Sequence, residues 1–151
     1  MTMKKMSFRL LVLFVMMLSA SCYARDRVIK VKDLPAPARS LVKNHFKGRM
    51  IVKAEKESNL NGVSYEVTLS NGDEIRFNNK GGWMEIDCKT DAVPVSVVPK
   101  AIAVYVKKNY HNVKINKIER GRLSYEVELS NGVDVHFDKN TYEVIRTEVD
   151  D

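Results

Sequence analysis

Apolar residues recur at helical spacing in two stretches of the chain that lie 64 positions apart. In each stretch five apolar positions follow the i, i+4, i+7, i+8 pattern of one helical face. They are Leu34, Ala38, Leu41, Val42 and Phe46 in the first stretch and Val98, Ile102, Tyr105, Val106 and Tyr110 in the second. Pro35 and Pro99 stand where the helices begin, and the first turn tolerates the missing N–H of proline. We therefore predict two amphipathic helices that each bury a single stripe.

After each helix the period of the pattern changes to two, which is typical of strands. The stretch "SYEVTLSNG" (64–72) returns almost unchanged as "SYEVELSNG" (124–132). Tyr65, Val67 and Leu69 alternate with polar residues in the first copy, and the second copy keeps this alternation. Such alternation indicates an antiparallel sheet with one packed face and one solvent-exposed face.

The turn after this strand contains Asn-Gly in both copies, yet a plain two-residue turn would mix apolar and polar partners on one face. Antiparallel partners share a face, so the pattern favours an odd-length loop or a β-bulge. We predict positive φ at Gly72 and Gly132. The predicted partners are Leu69 with Ile75, Val67 with Phe77, Leu129 with Val135 and Glu128 with His136.

The two copies differ in length between their first two strands. Ile51, Lys53 and Glu55 align with residues 64 positions later, whereas the next strand aligns at an offset of 60. The first copy thus has four extra residues, which we place in a longer loop at 57–62 around Leu60. This loop is either a tolerated insertion or a tip that enters a partner's cleft.

A fourth strand ends each copy, "WMEIDCK" (83–89) and "YEVIRTEV" (142–149), so each repeat consists of a helix and four strands. The predicted fold class is α+β: a tandem duplication that packs two helices on one face of a roughly eight-stranded antiparallel sheet. The repeats are expected at residues 25–91 and 92–151, within one compact domain.

The N-terminal residues 1–24 have the pattern of a secretory signal peptide. Lys4, Lys5 and Arg9 precede the apolar residues 10–18, a run about half as long as the roughly 20 residues that span a bilayer. Cleavage after Ala24 is favoured, and acylation of Cys22 as a lipoprotein is the alternative. We expect a periplasmic or secreted protein with no membrane span after the signal is removed.

Removal of the signal also changes the charge balance. Of 25 basic residues three leave with it, and the remaining 22 against 19 acidic residues give a net charge of +3. The charges alternate in sign along the chain rather than forming a basic stripe, so nucleic acid is not an expected partner. Cys88 becomes the single thiol, which excludes an internal disulfide, and no cofactor motif is present.

The repeated "LPAPARSLVKNHF" and "SYEVTLSNGDEIRF" segments, together with "GGWMEID", resemble the PepSY-like family of exported Bacteroidetes proteins. That family is similar in architecture to the secreted β-lactamase inhibitor protein, with helices on one face of an antiparallel sheet. The second repeat departs from the pattern where "NTYEVI" replaces "GGWMEI". The resemblance implies a non-enzymatic binding or inhibitory role outside the cytoplasm.

The sequence offers no pairing of a nucleophile with a base, so we do not expect an enzyme. His45 and His111 stand beside or just beyond the helices, where solvated or capping roles are common. Cys88 alternates with Met84 and Ile86, a pattern typical of a half-buried structural thiol.

Four residues are candidates for contact with another envelope or extracellular protein: Trp83, Glu85, Tyr142 and Leu60. Trp83 shares its strand parity with Glu85 and is therefore expected on the exposed face, where a large aromatic side chain is unusual unless a partner covers it. The alternative is that Trp83 closes the end of the core beneath the "NNKGG" turn. Tyr142 takes its place in the second repeat.

A cluster around His136 is the one candidate metal site. Asp134 and Asp138 share its strand face, and Glu126 and Glu128 are expected on the neighbouring strand; carboxylates with one imidazole suit several divalent ions. The alternative is an ordinary solvated face, as in the first repeat. The predicted function is therefore an exported binding protein, with inhibition of a hydrolase as one form of binding, or alternatively a carrier of a small ligand or divalent metal.

Overall fold

The computed structural model describes residues 26–149, which form two α-helices and nine strands. The helices are α1 (Ala36–His45) and α2 (Lys100–Asn109), each preceded by a short 3-10 turn. The strands are β1 (Arg27–Val28), β2 (Ile51–Asn59), β3 (Gly62–Leu69), β4 (Glu74–Asn78), β5 (Trp83–Asp87), β6 (Ile115–Arg120), β7 (Ser124–Leu129), β8 (Val133–Asp138) and β9 (Val144–Val149). The predicted signal peptide, with Ala24 and Cys22, lies outside the described residues.

All nine strands belong to one open antiparallel sheet, and their order in the sheet is their order in the chain. The expected count was about eight. The additional strand is β1, two residues long, which pairs Arg27 with Lys56 and Val28 with Glu55 at the β2 edge. Helix α1 connects β1 to β2 and helix α2 connects β5 to β6, so each helix links two neighbouring strands.

Both helices bury the predicted stripe. Pro35 and Pro99 are the N-cap residues, and every one of the ten predicted positions is either buried or packed against the core. One hydrophobic core joins these stripes to the inward-facing side chains of the sheet, such as Val67, Ile75 and Phe137. The two helices therefore lie on the same face of the sheet, and the other face is open.

The β3–β4 turn has an odd-length loop, as predicted, but its register differs from the prediction. Val67 pairs with Ile75 and Tyr65 with Phe77, which places each partner two residues from the predicted one. The loop is closed by hydrogen bonds between Leu69 and Asp73 and from the Gly72 N–H to Leu69. Gly72 has φ +88° and Gly132 φ +77°, as expected. A shift of two residues keeps every side chain on its predicted face.

The second copy of this hairpin has the same register. Val127 pairs with Val135, Glu126 with His136 and Glu128 with Asp134. The predicted Leu129–Val135 and Glu128–His136 pairs are therefore wrong by two residues, for the same reason: the three-residue loop lies directly after Leu129.

The four extra residues of the first repeat lengthen strands instead of a loop. Strands β2 and β3 pair as far as Asn59 and Gly62 and are joined by only two residues, Leu60 and Asn61. The corresponding β6–β7 hairpin ends earlier, at Arg120 and Ser124. The prediction of a longer loop at 57–62 is thus wrong. The hairpin has longer strands and a turn of only two residues.

Irregularities in pairing recur at matching places in the two halves of the chain. The register shifts once after Ile51 and once after Ile115, where the first strands of the two halves pair with the second. It shifts again between β4 and β5 and between β8 and β9, next to Phe77 and Phe137. Each shift inserts one residue into one strand and so reverses the faces of the side chains beyond it.

Candidate functional site

The side of the sheet that faces away from the helices carries two straight rows of side chains, which we call the open face. Strand pairing aligns one residue of each strand from β2 to β9 in each row. The first row is Glu55, Glu66, Arg76, Glu85, Glu119, Glu126, His136 and Arg146. The second row is Lys53, Thr68, Glu74, Asp87, Lys117, Glu128, Asp134 and Glu148.

The open face is strongly acidic, with ten carboxylates against four Lys or Arg side chains in the two rows. The helix side has the opposite sign: residues 30–49 and 90–114 contain ten basic residues and two acidic ones. The alternation of charge along the chain therefore does not persist on the surface of the folded protein. Charges that alternate along the chain are separated by the fold, because strand residues of one parity share a face.

Six pairs of carboxylates face each other directly across neighbouring strands. They are Glu55–Glu66, Glu74–Asp87, Glu85–Glu119, Glu119–Glu126, Glu128–Asp134 and Asp134–Glu148. Like charges in this position destabilise a sheet by a few tenths of a kcal/mol to about 1 kcal/mol each. Packing of the opposite face must offset this cost in the unbound protein.

Cationic side chains neutralise part of the negative charge in the first half of the open face. The guanidinium of Arg76 donates to Glu66 and to Glu85, each at 3.2 Å, and Lys117 lies 3.1 Å from Glu85. Partial burial opposes the charge on Arg76, but the hydrogen bond to Glu66 and the Glu85 carboxylate outweigh it, so the pKa of Arg76 lies above its ordinary value. Glu85, a predicted contact residue, lies on the open face inside this ion-pair group.

His136 is buried beneath the second half of the open face. Its ring nitrogens lie 3.6 Å from Glu126 and 3.5 Å from Glu148, and Arg146 approaches to 3.4 Å. Asp138 is not part of this group. Its carboxylate accepts hydrogen bonds from the backbone of Thr141 and Asn140, which lower the pKa of Asp138 and stabilise the β8–β9 turn.

The predicted metal ligands are therefore only partly brought together. Asp134 and Glu128 face each other across β7 and β8 beside His136, whereas Asp138 accepts hydrogen bonds within the β8–β9 turn. Within residues 26–149 no three His, Cys, Asp or Glu side chains are arranged to hold a metal ion.

Two exposed leucines lie at one end of the sheet. Leu60, at the tip of the β2–β3 hairpin, is 88% exposed, and Leu123, in the β6–β7 loop, is 74% exposed. Because β2 and β6 run in the same direction, these tips lie at the same end, which we call the hairpin end. Leu123 was missed by the sequence analysis, although an apolar residue in the polar loop "RGRLS" is a visible signal.

Trp83 does not lie on the open face, so that expectation is wrong. The register shift between β4 and β5 leaves Met84 as the extra residue, and Trp83 pairs with Phe77 on the packed face. Its ring lies 6.3 Å from that of Tyr125, and Arg120 stacks over it at 4.6 Å and donates to its carbonyl oxygen. Trp83 thus closes the end of the core, the alternative weighed above.

Tyr142 belongs to the same aromatic group as Trp83. It stacks on Tyr125 with ring centres 5.9 Å apart, and it adopts a positive φ of 58° in the β8–β9 turn. Burial, followed by the proximity of Tyr142, raises the pKa of Tyr125. Of the four predicted contact residues, the fold therefore unites Trp83 and Tyr142 at the hairpin end, on the helix side of the sheet.

Cys88 and His45, two of the side chains considered for catalysis, have structural partners. Cys88 is buried, and burial followed by the Asp73 carboxylate raises the pKa of its thiol to about 12. The Nδ1 atom of His45 lies 2.8 Å from the Ser96 hydroxyl oxygen, a contact between exposed side chains that sequence analysis did not find. No carboxylate within residues 26–149 forms an ion pair with His45. No helix of this part of the chain is long and apolar enough to cross a membrane.

Comparison with known proteins gives a family and several solved structures. A family model described as "putative beta-lactamase-inhibitor-like, PepSY-like" matches residues 63–144, more than half of the chain. No curated protein matches the sequence.

Among solved structures, a Bacteroides vulgatus protein of the DUF2874 family, described as a "putative periplasmic protein", is 43% identical. The match covers 82% of this chain and 96% of that one, with a TM-score of 0.78. A Bacteroides thetaiotaomicron protein described as a "putative calcium-regulated periplasmic protein" is 40% identical over 82% of this chain and 96% of that one, with a TM-score of 0.79. A second B. vulgatus protein, of unknown function, is 40% identical over 82% and 99% of the two chains, with a TM-score of 0.78.

Proposed function

The chain belongs to the PepSY-like family, and from this premise we propose that it is an exported, non-enzymatic binding protein. Its open face and hairpin end engage another envelope or extracellular protein. The observation that carries the proposal is the set of six directly opposed carboxylate pairs on a sheet face that neither helix covers. A partner with a basic surface relieves this repulsion, because its positive charges lie opposite the carboxylates of the open face.

The hairpin end supplies an apolar component next to the acidic face. Leu60 and Leu123 project from the tips of hairpins whose strands are fixed by the sheet, so ordering them on binding costs little entropy. Rigid loops with an apolar tip suit insertion into a partner's cleft. Inhibition of a hydrolase is the form of binding that the family's description suggests, and it is the activity we propose to test first.

We place this function in the periplasm. The N-terminal pattern of Lys4, Lys5 and Arg9 before an apolar run supports export, and the matched B. vulgatus and B. thetaiotaomicron proteins are described as periplasmic. We also propose that residues 25–91 and 92–151 arose by tandem duplication. The recurrence of helix, strand order and register shifts at matching positions supports this origin.

Site-specific photo-cross-linking tests the binding face. A benzoylphenylalanine residue in place of Thr68, on the open face, should capture an envelope protein, whereas the same residue in place of Ser40, on the exposed side of α1, should not. Glu119→Lys combined with Glu126→Lys should abolish capture. The matched control, Asp33→Lys on the helix side, should leave it intact; equal capture at Thr68 and Ser40, or loss in both charge variants, contradicts the proposal.

Calcium binding is a second candidate because one matched structure is described as calcium-regulated. Calcium prefers several carboxylate and carbonyl oxygens, and Glu128 and Asp134 face each other on the open face. Calorimetric titration with calcium chloride, and with magnesium chloride for comparison, tests this function without any protein partner. Saturable calcium binding that Asp134→Asn removes would favour it, and absence of heat at millimolar calcium would eliminate it.

A further inference from the structure

An open groove runs along α2 on the helix side of the molecule, opposite the open face. It has a volume of about 800 Å³ and is formed by α2 and the segments just before and after it, residues 92–98 and 110–115. This volume falls within the range of about 300–1,000 Å³ that is usual for small-molecule sites. We call it the α2 groove.

The walls of the α2 groove are largely apolar and are exposed to solvent. Val95 is 73% exposed and Val104 is 56% exposed, and Ala103, Tyr110 and Val113 continue the apolar surface between them. Isolated exposed apolar residues need no explanation, but a concave cluster is typical of a ligand site. An alkyl chain laid along this surface would remove it from water.

The same groove carries positive charge without compensation. Lys100, Lys107 and Lys114 are among its lining residues, and no aspartate or glutamate lines it. None of these lysines forms an ion pair within residues 26–149. An apolar trough with a rim of unpaired cations selects a ligand that combines an apolar chain with an anionic group.

The first repeat provides an internal comparison, because the residues 64 positions earlier differ at the groove. Arg39 stands in place of Ala103, Ser40 in place of Val104 and Arg49 in place of Val113. Both arginines have partners: Arg39 donates to the Lys32 carbonyl oxygen at 3.1 Å, and Arg49 bonds to Asp73 and Asp91. At these three positions the second repeat thus has small apolar side chains, where the first has a serine and two long arginines that are held by partners.

We propose that the α2 groove binds a free, single-chain anionic amphiphile of the fatty-acid class. The alkyl chain lies against Val95, Val104 and Val113, and the carboxylate is held at the lysine rim. This site is separate from the open face. Failure of the amphiphile proposal would therefore leave the proposed protein-binding function unaffected, and the reverse also holds.

The test uses laurate, at concentrations below micelle formation, and the cation dodecyltrimethylammonium, which has the same chain length, in calorimetric titrations of the exported protein. Laurate should bind saturably to one site, and the cation at least about tenfold more weakly, because the rim repels it. Lys107→Glu should weaken laurate binding about tenfold. The matched control is Lys108→Glu, one residue along the same helix but outside the groove, and it should have little effect.

A second pair of variants tests the apolar part without changing charge. Ala103→Phe fills the groove and should abolish saturable laurate binding, whereas Ala101→Phe, at an exposed position of α2 outside the groove, should not. Circular dichroism spectra establish that both variants fold. Equal affinity for the anion and the cation, equal losses in Lys107→Glu and Lys108→Glu, or no saturable binding would overturn the proposal. So would sedimentation with phosphatidylglycerol vesicles without laurate binding, which would identify a bilayer surface as the ligand.

Discussion

Arg49 and Asp73 form an ion pair at the end of the molecule opposite the hairpin end. The guanidinium nitrogen lies 2.5 Å from the carboxylate, and Asp73 is completely buried. Asp73 also accepts the backbone N–H of Lys89 at 3.0 Å, and Arg49 reaches Asp91 at 2.7 Å. The pair therefore connects the segment after α1 to the β3–β4 turn and to the end of β5.

Valines occupy both corresponding positions in the second repeat, Val113 and Val133, so an apolar pair also satisfies this site. We expect Arg49→Val alone to lower the free energy of unfolding by about 3 kcal/mol, because it leaves the buried Asp73 carboxylate without a cation, and Asp73→Val alone to lower it by less, because Arg49 keeps its ion pair with Asp91. The double variant should cost much less than the sum of the two single changes. Urea denaturation of the four proteins measures this coupling, and additive losses would contradict it.

Much of the fold could be predicted because its signals are periodic. The stripe of Ala38 and Val42, and the alternation of Val67 and Leu69, repeat along a single element, so a short window of sequence contains them. The near-identical second copy strengthens each signal. Helix number, strand direction and the packed face of the regular strands follow from this information alone.

The irregular positions could not be predicted in the same way. One extra residue at Met84 reverses the face of Trp83, and the pattern of apolar residues around it is compatible with either face. The position of a bulge depends on cross-strand hydrogen bonds and on what the helix above can accommodate. A strictly alternating strand was therefore the wrong assumption there.

The acidity of the open face is also a property of the register. Glu85, Glu119 and Glu126 are scattered over some 40 residues of sequence and are neighbours only after three strands pair. Along the chain each of them has basic residues nearby, which hides the accumulation of charge.

The glycines of the turns give a second prediction. Gly72 has φ +88° with no atom within 4 Å of an added Cβ, so Gly72→Ala should cost only the backbone strain, about 1 kcal/mol. At Gly81, with φ +82°, the added Cβ would lie 2.8 Å from the Pro35 Cβ and 3.1 Å from the Ala38 nitrogen. Gly81→Ala should therefore lower the free energy of unfolding by more than Gly72→Ala does, because α1 must also move. Thermal unfolding compares the melting temperatures of the two variants, and Gly72→Asn is a control for which a smaller loss is expected. Equal melting temperatures of Gly72→Ala and the parent would contradict the positive φ assigned to Gly72.

Cys88 should be unreactive in the folded protein. A thiol that is buried and has a pKa of about 12 presents almost no thiolate at pH 8, so Ellman's reagent should label it only after denaturation. The sign of the linked pH effect follows. Between pH 9 and 12 the unfolded thiol ionises and the folded one does not, so rising pH favours unfolding. The stability of the parent should fall towards that of Cys88→Ala over this range, and rapid labelling of the native protein at pH 8 would refute the assignment.

Opposed carboxylates on the open face should be a measurable cost to the unbound protein. Glu119 lies between Glu85 and Glu126 in the first row, so Glu119→Gln should raise the free energy of unfolding by about 0.2–1 kcal/mol at low salt. The gain should shrink at 0.5 M sodium chloride, because salt screens exposed charges. Glu66→Gln is the matched control: it removes the 3.2 Å ion pair with Arg76 and should not stabilise. Thermal melts at two salt concentrations measure both effects, and a salt-independent gain, or the same gain in both variants, would show that repulsion is not the cause. If Glu119→Gln also weakens capture of the envelope partner, the sheet retains these opposed charges at the expense of its own stability because the partner neutralises them.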